Sequence, residues 1–128
     1  MRLFLARHAS AAPGEPDSLR PLTDQGREEA RVLAGRLADE GVVTVVTSPL
    51  LRARETAAAI ARATGAELRI DERLAPGATF QDVLDAVEDA GAVVATVGHQ
   101  PDCSLIAEAF GAGEVAFAPG HVLELELP

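Results

Sequence analysis

The stretch MRLFLARHAS, Met1–Ser10, decides how this chain is to be read. Its apolar run is unbroken from Leu3 to Ala6, which suits a strand of a parallel sheet covered on both faces. The run stops abruptly at Arg7 and His8, and the Pro/Gly loop AAPGEPDSLR follows. A strand has to surface somewhere, and polar residues mark the exit. A strand can also deliver a histidine and an arginine to a working site, and the rest of the chain decides between these.

The same pattern recurs. VVTVVT (42–47) and AVVATVG (92–98) are two further buried-strand runs, and AELRI (66–70) is a short one. Helical segments lie between them. Thr23 caps a helix from about Asp24 to Glu40, whose Ala30, Leu33, Ala34, Leu37 and Ala38 form one apolar stripe, and Gly41 ends it. SPLLRARETAAAIARATG reads as a helix with Ser48 as N-cap, Pro49 at its first position and Gly65 as its stop. TFQDVLDAVEDAG (79–91) carries Phe80, Val83, Leu84 and Val87 on one side, and Pro101 opens a fourth helix, PDCSLIAEAF. In EVAFAPGHVLELEL, Pro119-Gly120 separates two short runs, and Leu123, Leu125 and Leu127 alternate with Glu124 and Glu126. This predicts a half-exposed hairpin at a sheet edge. Alternating strands and helices predict an α/β fold, a three-layer α/β/α sandwich with a mostly parallel sheet and that edge hairpin. At 128 residues, the expectation is one domain over 1–128.

Composition excludes several functions. The formal charge of −9 opposes general binding to nucleic acid or to an anionic membrane surface, and with no Trp, no Tyr and only four Phe there is little to stack on bases. No apolar stretch approaches the length of a membrane span, and MRLFLARH is too short and too soon interrupted for a signal peptide. Cys103 has no partner for a disulfide and sits among helical core residues, so it reads as a buried, unreactive thiol. A cytoplasmic monomer is expected.

In open α/β sheets, ligands bind beyond the carboxyl ends of the parallel strands. Arg7 and His8 end the first strand, Ser48 and Arg52 follow the second, and Gly98, His99 and Gln100 follow the third. Three segments thus bring two of the chain's three histidines and two arginines to one edge. Each has a plainer explanation when taken alone. Arg52 could be a solvated helix residue, although a cation in a first turn opposes the helix dipole. His99 could be a hydrogen-bonded loop histidine, and His121, after the Pro-Gly turn, reads as a surface residue. Arg54, Glu55 and Arg62 read as solvated. A zinc site on His8 and His99 lacks a third ligand at suitable spacing, so no metal or other cofactor is expected. The joint placement favours a site.

LARHA, SPLLRARETA and VGHQPD, in that order, resemble the histidine phosphatase superfamily, whose fold is phosphoglycerate mutase-like. The short length and RPLTDQG (Arg20–Gly26) are most similar to its small SixA-type branch of phosphohistidine phosphatases. The resemblance implies that His8 is a nucleophile that becomes transiently phosphorylated. It also implies that Arg7, Arg52 and His99 grip the phosphoryl oxygens, with Arg20 near the substrate. Where the family usually has Gly after the nucleophile, this chain has Ala9. The chemistry is consistent: phosphoryl transfer needs positioning and charge neutralisation, a neutral imidazole can attack in line, and guanidinium forks match phosphate oxygens. A protonated His99 would add positive charge where negative charge builds.

Larger members of the superfamily place a general-acid glutamate shortly after a segment like DERLAPG, but here Pro76 stands at the expected position. The next carboxylate, Asp82, is inside a helix, and Glu72, Asp17 and Glu15 depend on geometry. A missing acid matters least when the leaving group is already good, as imidazole is with a pKa of about 6.5. The expectation is therefore a phosphatase acting on phosphohistidine in a protein. A small-molecule phosphomonoesterase using the same pocket, and a non-catalytic phosphate-binding module, are the alternatives.

Overall fold

A computed structural model describes residues 1–128. The strands are β1 (Arg2–Arg7), β2 (Thr44–Thr47), β3 (Glu67–Ile70), β4 (Val93–Gly98) and β5 (Val122–Glu126). The helices are α1 (Asp24–Leu37), α2 (Leu51–Thr64), α3 (Phe80–Val87) and α4 (Asp102–Ala109). The five strands form one sheet in the order β3-β2-β4-β1-β5, parallel except for β5, which runs antiparallel to β1 at the edge.

The apolar runs at 3–6, 45–46 and 94–97 become the buried interior of the sheet because both faces are covered. On one face Phe4, Ala6, Val45, Ala95 and Val97 pack with Leu33 and Leu37 of α1 and Ala53, Ala57 and Ile60 of α2. On the other, Leu3, Leu5, Val46 and Val94 pack with Val83 and Val87 of α3 and Cys103 and Ile106 of α4. This is the predicted α/β/α sandwich.

Three boundaries differ from expectation. Helix α1 stops at Leu37, and the chain turns through Gly41, whose φ of 80° suits glycine. Helix α2 begins at Leu51, not at Pro49, and Leu50 is its N-cap without a side-chain cap. The Ser48 hydroxyl accepts the Leu50 N–H at 3.2 Å, just ahead of the helix, and also lies 2.7 Å from the His99 Nε2, so the expected cap is shared with that imidazole. The edge hairpin is half formed. Only its second run is a strand, with Leu123 and Leu125 registered against Leu5 and Leu3. In the first run, the Val115 carbonyl accepts the Ser104 hydroxyl and the Phe117 carbonyl accepts an Arg7 Nη–H. Side chains take the acceptors that a neighbouring strand would have used.

The register positions the site. Arg7 pairs with Gly98 and Thr47 with Val97, so β1, β2 and β4 end side by side. The His8 N–H donates to the Gly98 carbonyl at 3.0 Å and the Ser48 N–H to the Val97 carbonyl at 3.0 Å. His8, Ser48 and His99 therefore stand abreast beyond the sheet edge.

Candidate active site

The pocket lies at this edge, lined by Arg7, His8, Ser10, Ala11, Arg20, Arg52 and Pro119. The His8 Nδ1 is 2.7 Å from the Ala9 carbonyl oxygen. A carbonyl can only accept, so Nδ1 carries the proton and Nε2 holds the free lone pair. Ala9 is itself held, its N–H donating to Thr56 Oγ1 at 3.1 Å, while that hydroxyl donates to the Arg52 carbonyl at 2.8 Å. Thr56, completely buried on α2, thereby ties the loop after β1 to the helix that carries Arg52. Burial pushes the His8 pKa below the usual imidazole value; the Ala9 carbonyl opposes this, and Arg52, Arg7 and Arg20 reinforce it. His8 is accordingly a neutral base near pH 7.

Four cationic or imidazole groups join it. The Arg7 guanidinium is anchored by Nη1 on the Phe117 carbonyl at 2.9 Å, and its buried Nε has no protein partner. Arg52 is 7% exposed; it donates from Nη1 to the Asp17 carbonyl at 3.0 Å and from Nη2 to Asp17 Oδ2 at 3.3 Å. Arg20 donates from Nε to the Ala12 carbonyl at 2.8 Å and from Nη1 to Asp17 Oδ1 at 3.0 Å. The His99 ring centroid lies 5.1 Å from that of His8. All five sequence-predicted residues, Arg7, His8, Arg20, Arg52 and His99, thus meet around one pocket or against its wall.

The expected charge on His99 requires correction. Burial, then the nearby His8 and Arg52, push its pKa down to about 3. In the unliganded pocket His99 is neutral, and the positive charge belongs to the arginines. A bound dianion would reverse part of this effect by favouring the protonated ring.

Two more surface assignments change. Glu55 is not simply solvated: its carboxylate accepts the Leu22 N–H at 2.8 Å and pins the end of the Arg20 loop. Arg54 is half-buried, with its Nε enclosed and unpaired, whereas Arg62 is exposed as expected. His121 is exposed and its Nδ1 accepts the Ala118 N–H at 3.2 Å. It faces a neighbouring depression with Glu28 and Glu29, outside the arginine pocket. Cys103 is buried, and desolvation raises its thiol to about 12, consistent with an unreactive role.

The loop that brings Arg20 to the site is built by RPLTDQG. Thr23 Oγ1 accepts the Gly26 N–H at 2.9 Å and caps α1, and the Thr23 N–H donates to the Ser10 carbonyl at 3.0 Å. A Cβ on Gly26 would stand 1.9 Å from that same carbonyl oxygen, so only glycine lets α1 and the loop after β1 approach this closely. Glu29 completes the join by accepting both the N–H and the hydroxyl of Ser10, at 2.8 and 3.0 Å.

With this geometry in hand, comparison with known proteins is decisive. Residues 3–76 match the family model of the histidine phosphatase superfamily, branch 1. The chain belongs to that superfamily. It is a phosphatase of the SixA type in architecture: it superposes on the structure of the protein histidine phosphatase SixA complexed with tungstate with a TM-score of 0.88. That match has 25% identity and covers 99% of this chain and 88% of that one. An uncharacterised protein of Picosynechococcus is 37% identical over 138 residues, covering 98% of this chain and 80% of that one. The "Probable phosphoglycerate mutase GpmB" of Serratia proteamaculans is 40% identical over 81 residues, 58% of this chain but 37% of that protein. The match to the mutase-type relative is thus confined to a minor part of its length.

In this phosphatase none of the pocket-lining residues is a carboxylate. Pro76, at the position where a general acid would be sought, is exposed beyond a short 3-10 turn over Glu72–Leu74. Asp82 is spent in the capping box of α3, where its carboxylate accepts the Thr79 N–H at 2.9 Å. Asp17 reaches the pocket only through the arginines, and its hydrogen bond to Arg20, with Arg52 beside it, holds its carboxyl below the usual range. Burial pushes Glu29 up, but the Ser10 N–H, Gln25 and the Ser10 hydroxyl outweigh it and keep that carboxyl low too. Both are ionised near pH 7 and neither is poised to donate a proton. No group of three or more His, Cys, Asp or Glu side chains gathers as a metal-binding cluster, and no helix is long and apolar enough to cross a membrane.

Proposed function

We propose that this chain hydrolyses phosphohistidine on a protein through a covalent phospho-His8 intermediate. The observation that carries the reading is the 2.7 Å contact of His8 Nδ1 with the Ala9 carbonyl, which places the proton on Nδ1 and leaves Nε2 free beside three guanidiniums. In the first step the Nε2 lone pair forms a bond to phosphorus while the P–N bond of the substrate breaks, its electron pair leaving with the substrate imidazole. Arg7, Arg20 and Arg52 neutralise the charge on the equatorial oxygens, and His99 supplies a further donor once the anion is bound. Water then attacks the phosphorus of phospho-His8, the P–Nε2 bond breaks, phosphate leaves and neutral His8 returns with Nδ1 still protonated.

Phosphohistidine is favoured over a sugar or glycerate phosphate because the pocket offers no carboxylic acid to protonate an alkoxide. General acid catalysis contributes about 10²–10⁴-fold, a large handicap for alkyl phosphates. A substrate imidazole already protonated on its distal nitrogen leaves as the neutral molecule and needs no donor. The substrate and the enzyme intermediate are then chemically alike, so the first transfer is close to thermoneutral. The test is a single-turnover measurement with a histidine-phosphorylated protein, beside kcat/KM for an aryl phosphate and for 3-phosphoglycerate. Phosphohistidine should be hydrolysed well, the aryl ester modestly and phosphoglycerate poorly. Equal efficiency on phosphoglycerate would hand the assignment to a small-molecule phosphomonoesterase.

A further inference from the structure

Asp17 is the one carboxylate that touches the pocket's cations, and the hydrolysis described above gives it no part. It sits in a single 3-10 turn, Asp17–Leu19, and its side chain is 60% exposed. One carboxylate oxygen takes an Arg20 Nη–H at 3.0 Å, and the other takes an Arg52 Nη–H at 3.3 Å. Its backbone carbonyl takes a second Arg52 Nη–H at 3.0 Å. Arg52 is buried whereas the Asp17 carboxylate is largely exposed, so the carboxylate faces solvent where it meets the two guanidiniums.

This placement has a consequence for any ligand. A phosphoryl group that engages Arg20 and Arg52 must share their donors with Asp17, and two anions on the same pair of cations repel. In-line displacement puts the leaving atom opposite the attacking His8 Nε2, and an exposed carboxylate held on the pocket's own arginines is available to a group entering from solvent. An ester oxygen departing as an alkoxide or phenoxide develops negative charge and adds to the repulsion. A phosphorylated imidazole protonated on its distal nitrogen brings an N–H and a positive charge, and a carboxylate is its natural acceptor.

We propose that Asp17 is a specificity-determining residue, a carboxylate that competes with phosphoryl oxygens for Arg20 and Arg52 and thereby admits preferentially substrates with a protonated nitrogen leaving group. The inference rests on the phosphohistidine reading and adds to it the residue that discriminates. It also casts the lost acid differently: the carboxylate near the leaving group accepts a hydrogen bond from a proton already in place and donates none. No proton changes hands at Asp17. The P–N electron pair departs with the imidazole, and its distal proton stays on the ring.

Two variants separate charge from support. Asp17→Asn keeps an amide oxygen that can accept from an arginine and removes the negative charge, whereas Asp17→Ala removes both. Tungstate, which needs no substrate assumption, should bind Asp17→Asn several-fold more tightly than wild type, because a competing anion is gone. The ratio of kcat/KM for a histidine-phosphorylated protein to that for an aryl phosphate should fall about tenfold in Asp17→Asn, the scale of one lost charge pair. A merely structural role predicts a different pattern. Asp17→Asn would then behave as wild type, or both substrates and tungstate would weaken together in both variants, and either result overturns the proposal. Wild type inactive on phosphohistidine would overturn the functional reading first and this inference with it. An unchanged ratio in an active Asp17→Asn enzyme would overturn the inference alone.

Discussion

Replacing Arg52 offers the most direct quantitative test of the pocket. Arg52 is 7% exposed, its guanidinium lines the pocket, and two of its N–H groups are already directed at Asp17. A hydrogen bond to a charged group contributes about 1.5–3 kcal/mol, so losing this guanidinium should weaken a bound oxyanion by roughly 10- to 100-fold. Tungstate held at about 100 times its dissociation constant stabilises the wild-type fold by about 2.7 kcal/mol. For a chain of this size that is a rise in Tm of about 10 °C. With affinity about 100-fold weaker, the same tungstate concentration equals the dissociation constant, and the gain shrinks to about 0.4 kcal/mol, or one to two degrees. Arg52→Lys should recover only part of the difference, because a point charge cannot both hold the Asp17 carbonyl and carboxylate and present a fork to the ligand. Differential scanning fluorimetry with and without tungstate reads all three proteins, and circular dichroism checks that each is folded. An undiminished Tm gain in folded Arg52→Ala would refute the assignment of the pocket as the anion site.

Three further outcomes follow from the same geometry. His8→Ala should keep its fold and lose turnover, and wild type quenched in alkali after brief exposure to labelled substrate should carry the label on His8; substantial activity in the variant would sink the nucleophile. His99 is neutral in the folded state with a pKa near 3 but titrates near 6.5 once unfolded, so the unfolded chain binds the extra proton as pH falls below 6.5. Stability should therefore drop with falling pH from that point, with His99 contributing a slope of up to about 1.4 kcal/mol per pH unit, and chemical denaturation of His99→Asn between pH 7 and 5 should show a shallower slope than wild type. Gly26→Ala must push back the Ser10 carbonyl, since its Cβ would sit 1.9 Å from that oxygen; an overpacking cost of about 1–3 kcal/mol with reduced activity is expected, and a variant as stable as wild type would contradict the close approach.

What could be read from the sequence was what local chemistry and periodicity specify. Short runs at 3–6 and 93–97, apolar but for Thr96 and bounded by turn signals, read as strands buried on both faces, and the ordering of strand and helix then places Arg7, His8, Arg52 and His99 at one edge. The interactions that tune those residues were not legible, because they join positions far apart in the chain. Thr56 is 47 residues from Ala9, Asp17 is 35 from Arg52, and Ser48 is 51 from His99. Thr56 looked like an ordinary helix residue, Ser48 like a cap at the site edge, and Asp17 was only one of several carboxylates whose role depended on geometry. Ser48 misled for a physical reason: a serine before proline and an apolar helix is a good N-cap, but its hydroxyl found a buried imidazole as well. The tail misled similarly, since alternation identifies a strand but cannot tell that the Val115 and Phe117 carbonyls will be claimed by Ser104 and Arg7.

The charge on His99 has a bearing on how the pocket works. Had both imidazoles been cationic, His8 would lack its lone pair and could not attack. Instead the guanidiniums hold the permanent charge, and burial, reinforced by those guanidiniums, depresses both histidines, which leaves His8 its lone pair and lets His99 gain a proton only when a dianion arrives. The same arginines keep Asp17 ionised, so the cations that prepare the nucleophile also remove the nearest carboxylate from service as an acid. A pocket of this kind handles a leaving group that needs no proton and handles an alkoxide badly. On the proposed reading the selectivity originates in the electrostatics that keep His8 neutral, and relaxing it at Asp17 should leave the proposed nucleophile intact.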